Sequence, residues 1–182
     1  DKAEVSLQSA LASLRGSSAV DAQYRLGTIK FNQEKWIEAQ ADFENFLRDN
    51  KKPEAEDARI REARFQVARC LMEQMEAKKA DKKFGDLSNG TDEVAGRAVF
   101  WRGRLYSRDG KYAQAANALR SATDKDWYKK GFPAKGGKKA PTIVADIDFE
   151  YANALMLQKA PNWMLALQFL QRVQARRGDY GQ

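Results

Sequence analysis

The sequence contains no histidine and a single cysteine, Cys70, so several kinds of chemistry lack the residues they need. A lone cysteine excludes an internal disulfide framework, and the usual zinc-site spacings cannot be built without histidine. Cys70 lies in an apolar helical stretch, which predicts a packed thiol. No candidate nucleophile is paired with a base. We therefore expect no catalytic residues, no metal site and no cofactor: the protein is predicted not to be an enzyme.

Long apolar runs are also missing. No window approaches the roughly 20 uninterrupted apolar residues of a membrane span, so no transmembrane segment is expected. With only 4 prolines and 12 glycines in 182 residues, and 31% charged residues, the composition favours helices with solvated faces. The net charge of +7 is modest and spread among many carboxylates, so nucleic acid is not the expected partner.

What the sequence does contain is one spacing that occurs four times. A small residue is followed twelve residues later by alanine, and a large apolar residue comes four positions after that. An antiparallel helix pair needs small residues where the backbones cross and bulk where the seam is filled. Such hairpins stack because none buries its apolar face alone. The four sets are Gly27, Ala39 and Phe43; Ala68, Ala80 and Phe84; Gly103, Ala115 and Leu119; and Ala154, Ala166 and Leu170.

These sets define the predicted organisation of one domain over residues 1–182. A helix at 3–14 is expected to be the second half of a unit, and a loop insert rich in lysine is expected at 124–142. Pro161 predicts an atypical turn in the last hairpin. The four predicted hairpins cover residues 20–49, 61–87, 96–123 and 147–174.

The first hairpin carries Leu26-Gly27, Trp36, Ala39 and Phe43 at the spacing of the tetratricopeptide repeat (TPR), and the chain resembles that family. The resemblance implies an all-α, right-handed α-α superhelix, a TPR-like solenoid whose first helices line a concave groove. The residue pattern of the first two hairpins is similar to the TPR domains of bacterial envelope proteins, of the outer-membrane assembly lipoprotein and cell-division coordinator type. This looser likeness implies a periplasmic or envelope-associated location.

The family's groove positions, carried onto this sequence, predict a face of aromatic and arginine side chains. Such side chains are the commonest binding hot spots, and arginine grips carboxylates with two parallel bonds. The expected partner is therefore a protein that offers a peptide or helix, acidic and partly apolar. The other interpretation is that the aromatic residues pack between adjacent hairpins. The predicted groove residues are Tyr24, Phe31, Phe65, Arg69, Met72, Arg97, Phe100, Arg104, Arg108 and Tyr151.

The lysine-rich insert gives a second hypothesis, because basic residues interleaved with aromatics can bind anionic polymers. Its alternative is a solvated loop with an aromatic residue packed on the array. Self-association through the open ends of the array is a third possibility. Asp146, Asp148 and Glu150 are expected on a solvated helix face, and Arg172, Arg176 and Arg177 are expected to favour a helix C-terminus through its dipole. The insert residues are Lys125, Trp127, Lys129, Lys130, Lys135, Lys138 and Lys139.

Overall fold

The computed structural model describes residues 2–13, 15–54, 56–130 and 143–178, and every regular element in these ranges is an α-helix. The chain divides into two compact units, Asp1–Lys83 and Phe84–Gln182. No helix in the described ranges is long and apolar enough to cross a bilayer. The helices are α1 (Lys2–Ser13), α2 (Ser17–Asn32), α3 (Trp36–Asp49), α4 (Arg59–Glu73), α5 (Ala77–Ser88), α6 (Glu93–Arg108), α7 (Tyr112–Arg120), α8 (Asp126–Lys130), α9 (Ile143–Leu157) and α10 (Trp163–Gly178).

The helices of the first, third and fourth predicted hairpins pack on each other as the repeated spacing predicts. In the first unit α2 packs on α3, with α1 against α2 and α4 against α3. In the second unit α6 packs on α7 and α9 on α10, and α9 also contacts α6 and α7. The prediction of an all-α array of helical hairpins is therefore confirmed.

The two glycines of the repeated spacing lie where two helices touch. A Cβ atom built on Gly27 would lie 2.9 Å from Cδ1 of Phe43, and one built on Gly103 would lie 2.5 Å from Cγ of Leu119. Carbon atoms that are not bonded are comfortable at about 3.5–4.0 Å, so neither position has room for a side chain. This contact explains why a small residue stands sixteen positions before a large one.

Three hairpins make the same turn, seven residues after their small residue. The residue there has a left-handed backbone, with φ of 61° at Glu34, 62° at Met75 and 69° at Gly110. The next amide donates to a carbonyl five residues earlier, and the left-handed residue's own amide donates three residues back, which is the Schellman motif. The bonds that span five residues are Lys35 N to Lys30 O (3.0 Å), Glu76 N to Leu71 O (2.9 Å) and Lys111 N to Tyr106 O (2.9 Å).

The last hairpin turns differently because Pro161 occupies the equivalent position. Proline has a fixed negative φ and no N–H, so it can neither adopt the left-handed backbone nor donate the bond. Instead, the Asn162 amide donates to the Leu155 carbonyl at 3.0 Å. The Asn162 side-chain oxygen then accepts from the Leu165 amide at 3.1 Å and caps the start of α10.

We expect Met75→Gly to raise the free energy of unfolding by about 0.5–1 kcal/mol. Met75 holds a left-handed backbone that costs a residue with a Cβ atom, and its side chain is 75% exposed, so little packing is lost. Gly110→Ala is the reciprocal change at the equivalent turn, where a Cβ atom meets nothing within 4 Å. It should lower stability by a similar amount. Urea unfolding gives the free energy of unfolding of both variants. A Gly110→Ala variant that is more stable than the unmodified chain would contradict the backbone explanation.

Cys70 is fully buried in α4, and burial raises the pKa of its thiol to about 12. The predicted packed thiol is therefore confirmed.

The start of the lysine-rich insert forms the short helix α8. Trp127 and Tyr128 are both buried in the core of the second unit, together with Ile147 and Phe169 from α9 and α10. Part of the predicted insert therefore belongs to the packed core, which is the alternative that the sequence left open. Residues 131–142, with Lys135, Lys138 and Lys139, lie outside the described residues.

Candidate functional site

In the first unit, Arg59 ties the beginning of α4 to the beginning of α2. Its guanidinium donates to Asp57 Oδ2 at 2.7 Å and to Asp21 Oδ1 at 2.6 Å. These bonds hold the cation over the rings of Tyr24, at 5.8 Å from the ring centroid, and Phe46, at 5.5 Å. The Arg59 side chain holds the pKa of the buried Asp57 carboxyl far below its usual range. Tyr24 is thus covered by Arg59, which is not among the predicted groove residues.

Further along the same two helices, Arg69 covers Phe31. The guanidinium carbon lies 5.4 Å from the centroid of the Phe31 ring, and that ring also lies 5.0 Å from the Trp36 ring, nearly perpendicular to it. Arg69 also forms a long ion pair with Glu73 at 3.7 Å. The structure therefore brings together two predicted groove residues, Phe31 and Arg69, as one stacked pair on α2 and α4.

Three predicted groove residues are buried. Phe65 is 0% exposed, and Met72 and Tyr151 are each 5% exposed. The Tyr151 ring lies 4.6 Å from that of Phe169, nearly perpendicular to it, and burial raises the pKa of the Tyr151 hydroxyl. These side chains pack inside their units, as the alternative interpretation of the aromatic positions described.

In the second unit, a half-exposed arginine lies on two aromatic rings of α6. The Arg104 guanidinium is 5.8 Å from the Phe100 centroid and 5.3 Å from the Trp101 centroid. Arg104 Nε also lies 3.8 Å from a carboxylate oxygen of Glu150 on α9. The side chain of Arg104 is 49% exposed, that of Glu150 only 19%. We call Phe100, Trp101, Arg104 and Glu150 the α6–α9 cluster.

The remaining arginines predicted for the groove lie on α6 as well. Arg97 is partly buried and Arg108 is exposed, and each already interacts with other residues of the chain. Trp101 is not among the predicted groove residues, although an aromatic residue three positions before Arg104 lies on the same helix face as that arginine.

The described lysines of the insert lie at the surface, but their aromatic neighbours do not. Lys129 and Lys130 are exposed and Lys125 is partly buried, while Lys130 pairs with Asp126 at 3.1 Å. Because the Trp127 and Tyr128 rings are each only 4% exposed, they cannot stack on the bases or sugars of a polymer. The described part of the insert therefore gives little support to the polyanion hypothesis.

The expectation that Asp148 lies on a solvated face is wrong. Asp148 is 0% exposed and accepts hydrogen bonds from the Tyr128 hydroxyl and, at 3.0 Å, from Arg176 Nε. Burial raises the pKa of this carboxyl, and the two donors oppose that rise. The role of Arg176 also differs from the expected one, because Arg176 donates a hydrogen bond to this buried carboxylate of α9. Among the described residues, no group of three potential metal ligands stands close enough to hold an ion.

Comparison with known proteins identifies the fold. No family model matches the sequence, and no curated protein matches it. Among solved structures, the chain is similar to the kinesin light chain nearly identical TPR-like repeats of Podosopora anserina. The two share 16% sequence identity with a TM-score of 0.68, over 100% of this chain and 88% of the other. The fold of this protein is thus a TPR-like array of helical hairpins.

Proposed function

We propose that this protein is a non-catalytic adaptor that binds an acidic, partly apolar peptide or helix of a partner protein. Rings and arginines on the first helices of the hairpins, within each unit, would make the contact. The TPR-like fold supports this class of function, because stacked hairpins present extended surfaces that suit binding. The stacked pair of Phe31 and Arg69 and the α6–α9 cluster supply the expected chemistry.

The observation that carries the proposal is the position and exposure of the Arg104 side chain. Its guanidinium lies near two rings, which restrict its position, while half of its side chain stays exposed. The ion pair with Glu150 is long, at 3.8 Å, so a carboxylate of a partner can approach more closely. A planar cation held over apolar rings favours a ligand that joins a carboxylate to an apolar side chain.

The test begins with a random-peptide display library selected on the intact chain. We expect the selected peptides to combine acidic and apolar residues, and Arg104→Ala to weaken their binding by about 5- to 150-fold, or 1–3 kcal/mol. Arg104→Lys should recover only part of the loss, because lysine keeps the charge but not the planar stacking. Calorimetric titration gives the affinities, and circular dichroism checks that helical content is unchanged.

Arg102→Ala is the matched control, since Arg102 is also an arginine of α6 that lies over a ring, that of Tyr106 at 6.0 Å. It should leave peptide affinity unchanged. Equal affinity in the Arg104→Ala variant and the unmodified chain, for peptides whose binding is established, would remove the α6–α9 cluster from the proposal.

The setting that we propose is a protein assembly of the bacterial envelope, which rests on the residue pattern of the first two hairpins alone. Self-association is the alternative that a specific observation favours. Trp163, Met164 and Leu167 on α10 are 62%, 75% and 53% exposed, an apolar surface that a second copy could cover. Sedimentation at rising concentration separates the two ideas, because an adaptor that does not self-associate keeps a constant sedimentation coefficient.

A further inference from the structure

The second unit contains a cavity that the proposed adaptor function does not use. It has a volume of about 650 Å³ and lies among the end of α7, α8, α9 and α10. Its aromatic lining comes from Tyr128, Tyr151 and Phe169. Its charged lining is of one sign: Arg120, Lys129 and Arg172. Pockets for small ligands span roughly 300–1,000 Å³, so the size is sufficient.

The charges around the cavity leave it positive. Among the described residues that line it there is no carboxylate. The buried Asp148 lies behind Tyr128, whose hydroxyl donates to it, and Arg176 donates to its other oxygen at 3.0 Å. The exposed Asp126 pairs with Lys130 at 3.1 Å. Asp148 also interacts with Arg172, but the three cations of the lining and Arg176 face this one buried carboxyl, so the cavity keeps a net positive charge.

Arg172 is held in place before any ligand arrives. Its guanidinium carbon lies 4.6 Å from the centroid of the Phe169 ring, close enough for a cation–π contact. A guanidinium stacked on a ring presents donors in a fixed plane, which suits the two oxygens of a carboxylate or phosphate. Lys129 and Arg120 are exposed, so their flexible side chains can close on an anion from other directions.

We propose that this cavity binds an organic anion in which a carboxylate or phosphate is joined to an aromatic or apolar body. Arg120, Lys129 and Arg172 hold the anionic group, and Tyr151, Phe169 and Leu165 contact the body. A bare anion would leave the ring edges of Tyr151 and Phe169, each residue 5% exposed, and the partly buried Leu165 without a contact. A neutral aromatic compound would leave the cations of the lining without a counter-charge. The combination of the two linings therefore sets the ligand class.

Calorimetric titration of the intact chain with four probes tests this inference. The probes are phenyl phosphate, inorganic phosphate, and a tetrapeptide ending in phenylalanine, as the free acid and as the amide. We expect phenyl phosphate to bind at least about tenfold more tightly than inorganic phosphate, and the free acid more tightly than the amide. Tighter binding of the tetrapeptide acid identifies a chain terminus as the source of the ligand; tighter binding of phenyl phosphate identifies a small phosphate ester.

Variants assign the binding to the cavity. Lys129→Ala and Arg120→Ala should each weaken phenyl phosphate about tenfold, because each removes one charged donor. Both side chains are exposed, so the melting temperature should not change. The control is Lys111→Ala, an exposed lysine of the same unit that pairs with Asp109 and does not line the cavity.

Two results would overturn the proposal: no phenyl phosphate or tetrapeptide binding up to about 1 mM, or undiminished binding in the Arg120→Ala, Lys129→Ala double variant. The selected-peptide titration of the α6–α9 cluster is a separate measurement. Failure of one proposal therefore leaves the other standing.

Discussion

Gly103→Ala is expected to lower the free energy of unfolding by about 2 kcal/mol. The added methyl group would lie within 2.7 Å of three carbon atoms of the Leu119 side chain. Leu119 is 0% exposed, so neither its side chain nor the helices that surround it can move aside freely. In a helix interior the same change is normally stabilising by up to about 1 kcal/mol, because glycine is a poor helix former. The predicted sign is therefore set by the crossing of α6 and α7.

Gly85→Ala provides the matched control within a helix. A Cβ atom there would lie 3.6 Å from the guanidinium carbon of Arg102, the far end of a flexible side chain. We expect this variant to gain about 0.5–1 kcal/mol from helix propensity. Denaturant unfolding should therefore show that the same glycine-to-alanine change raises the free energy of unfolding at position 85 and lowers it at position 103.

A double variant separates the clash from other effects of the methyl group. Leu119→Ala alone should cost about 3 kcal/mol, since it removes a fully buried side chain. Gly103→Ala combined with Leu119→Ala should cost no more than Leu119→Ala alone, because the new methyl enters the space left by leucine. Losses that simply add would contradict a direct contact between positions 103 and 119.

The hairpin architecture could be predicted from sequence because its determinants are close together in the chain. Gly27 and Phe43, like Gly103 and Leu119, stand sixteen residues apart and meet across one crossing. The backbone conformation of the turns was harder to predict from the sequence. Of the three equivalent turn residues, only Gly110 is of a type that predicts a left-handed backbone. Glu34 and Met75 adopt this backbone because the Schellman hydrogen bonds stabilise the helix end.

The candidate site could be predicted only in part, because helical register gives the direction of a side chain but not its depth. The register predicted Arg104 and Phe100 on one face, and in the structure Arg104 lies near the Phe100 ring while Arg69 lies near the Phe31 ring. It could not show that Phe65 and Tyr151 would be covered by neighbouring side chains. Contacts between distant segments, such as Arg59 with Tyr24, have no signal in a single sequence.

The prediction for Asp148 was the most clearly wrong, although the sequence contains a pattern that indicates its burial. Val144, Ile147, Tyr151 and Leu155 form the buried stripe of α9, and position 148 falls four residues after the first and three before the third. That helical spacing assigns Asp148 to the apolar face. Its partners, Tyr128 and Arg176, are 20 and 28 residues away, so no local pattern predicts the network.

We expect Asp148→Ala to be the other strongly destabilising substitution, costing about 3 kcal/mol. The change leaves the buried Tyr128 hydroxyl and the partly buried Arg176 without their acceptor. Adding Tyr128→Phe should cost little more, because the stranded donor is then removed. Asp126→Asn is the control: its carboxylate is 80% exposed, so the loss should stay within about 0.5 kcal/mol. Fully additive losses for the pair at 128 and 148 would contradict the network.

Comparison with Asp148→Asn across pH tests the same carboxyl by its titration. Burial raises the pKa of Asp148 in the folded chain, despite the opposing effects of Tyr128 and the nearby arginines. A raised folded pKa means that the fold favours the protonated acid, so this contribution to stability is fully present below the unfolded pKa of about 4. It is lost as the pH rises through the folded pKa. The unfolding free energy of the natural chain minus that of the asparagine variant should therefore shrink from pH 4 toward pH 7. A difference that grows over this range would show that the fold favours the ionised carboxylate, with Arg176 outweighing the cost of burial.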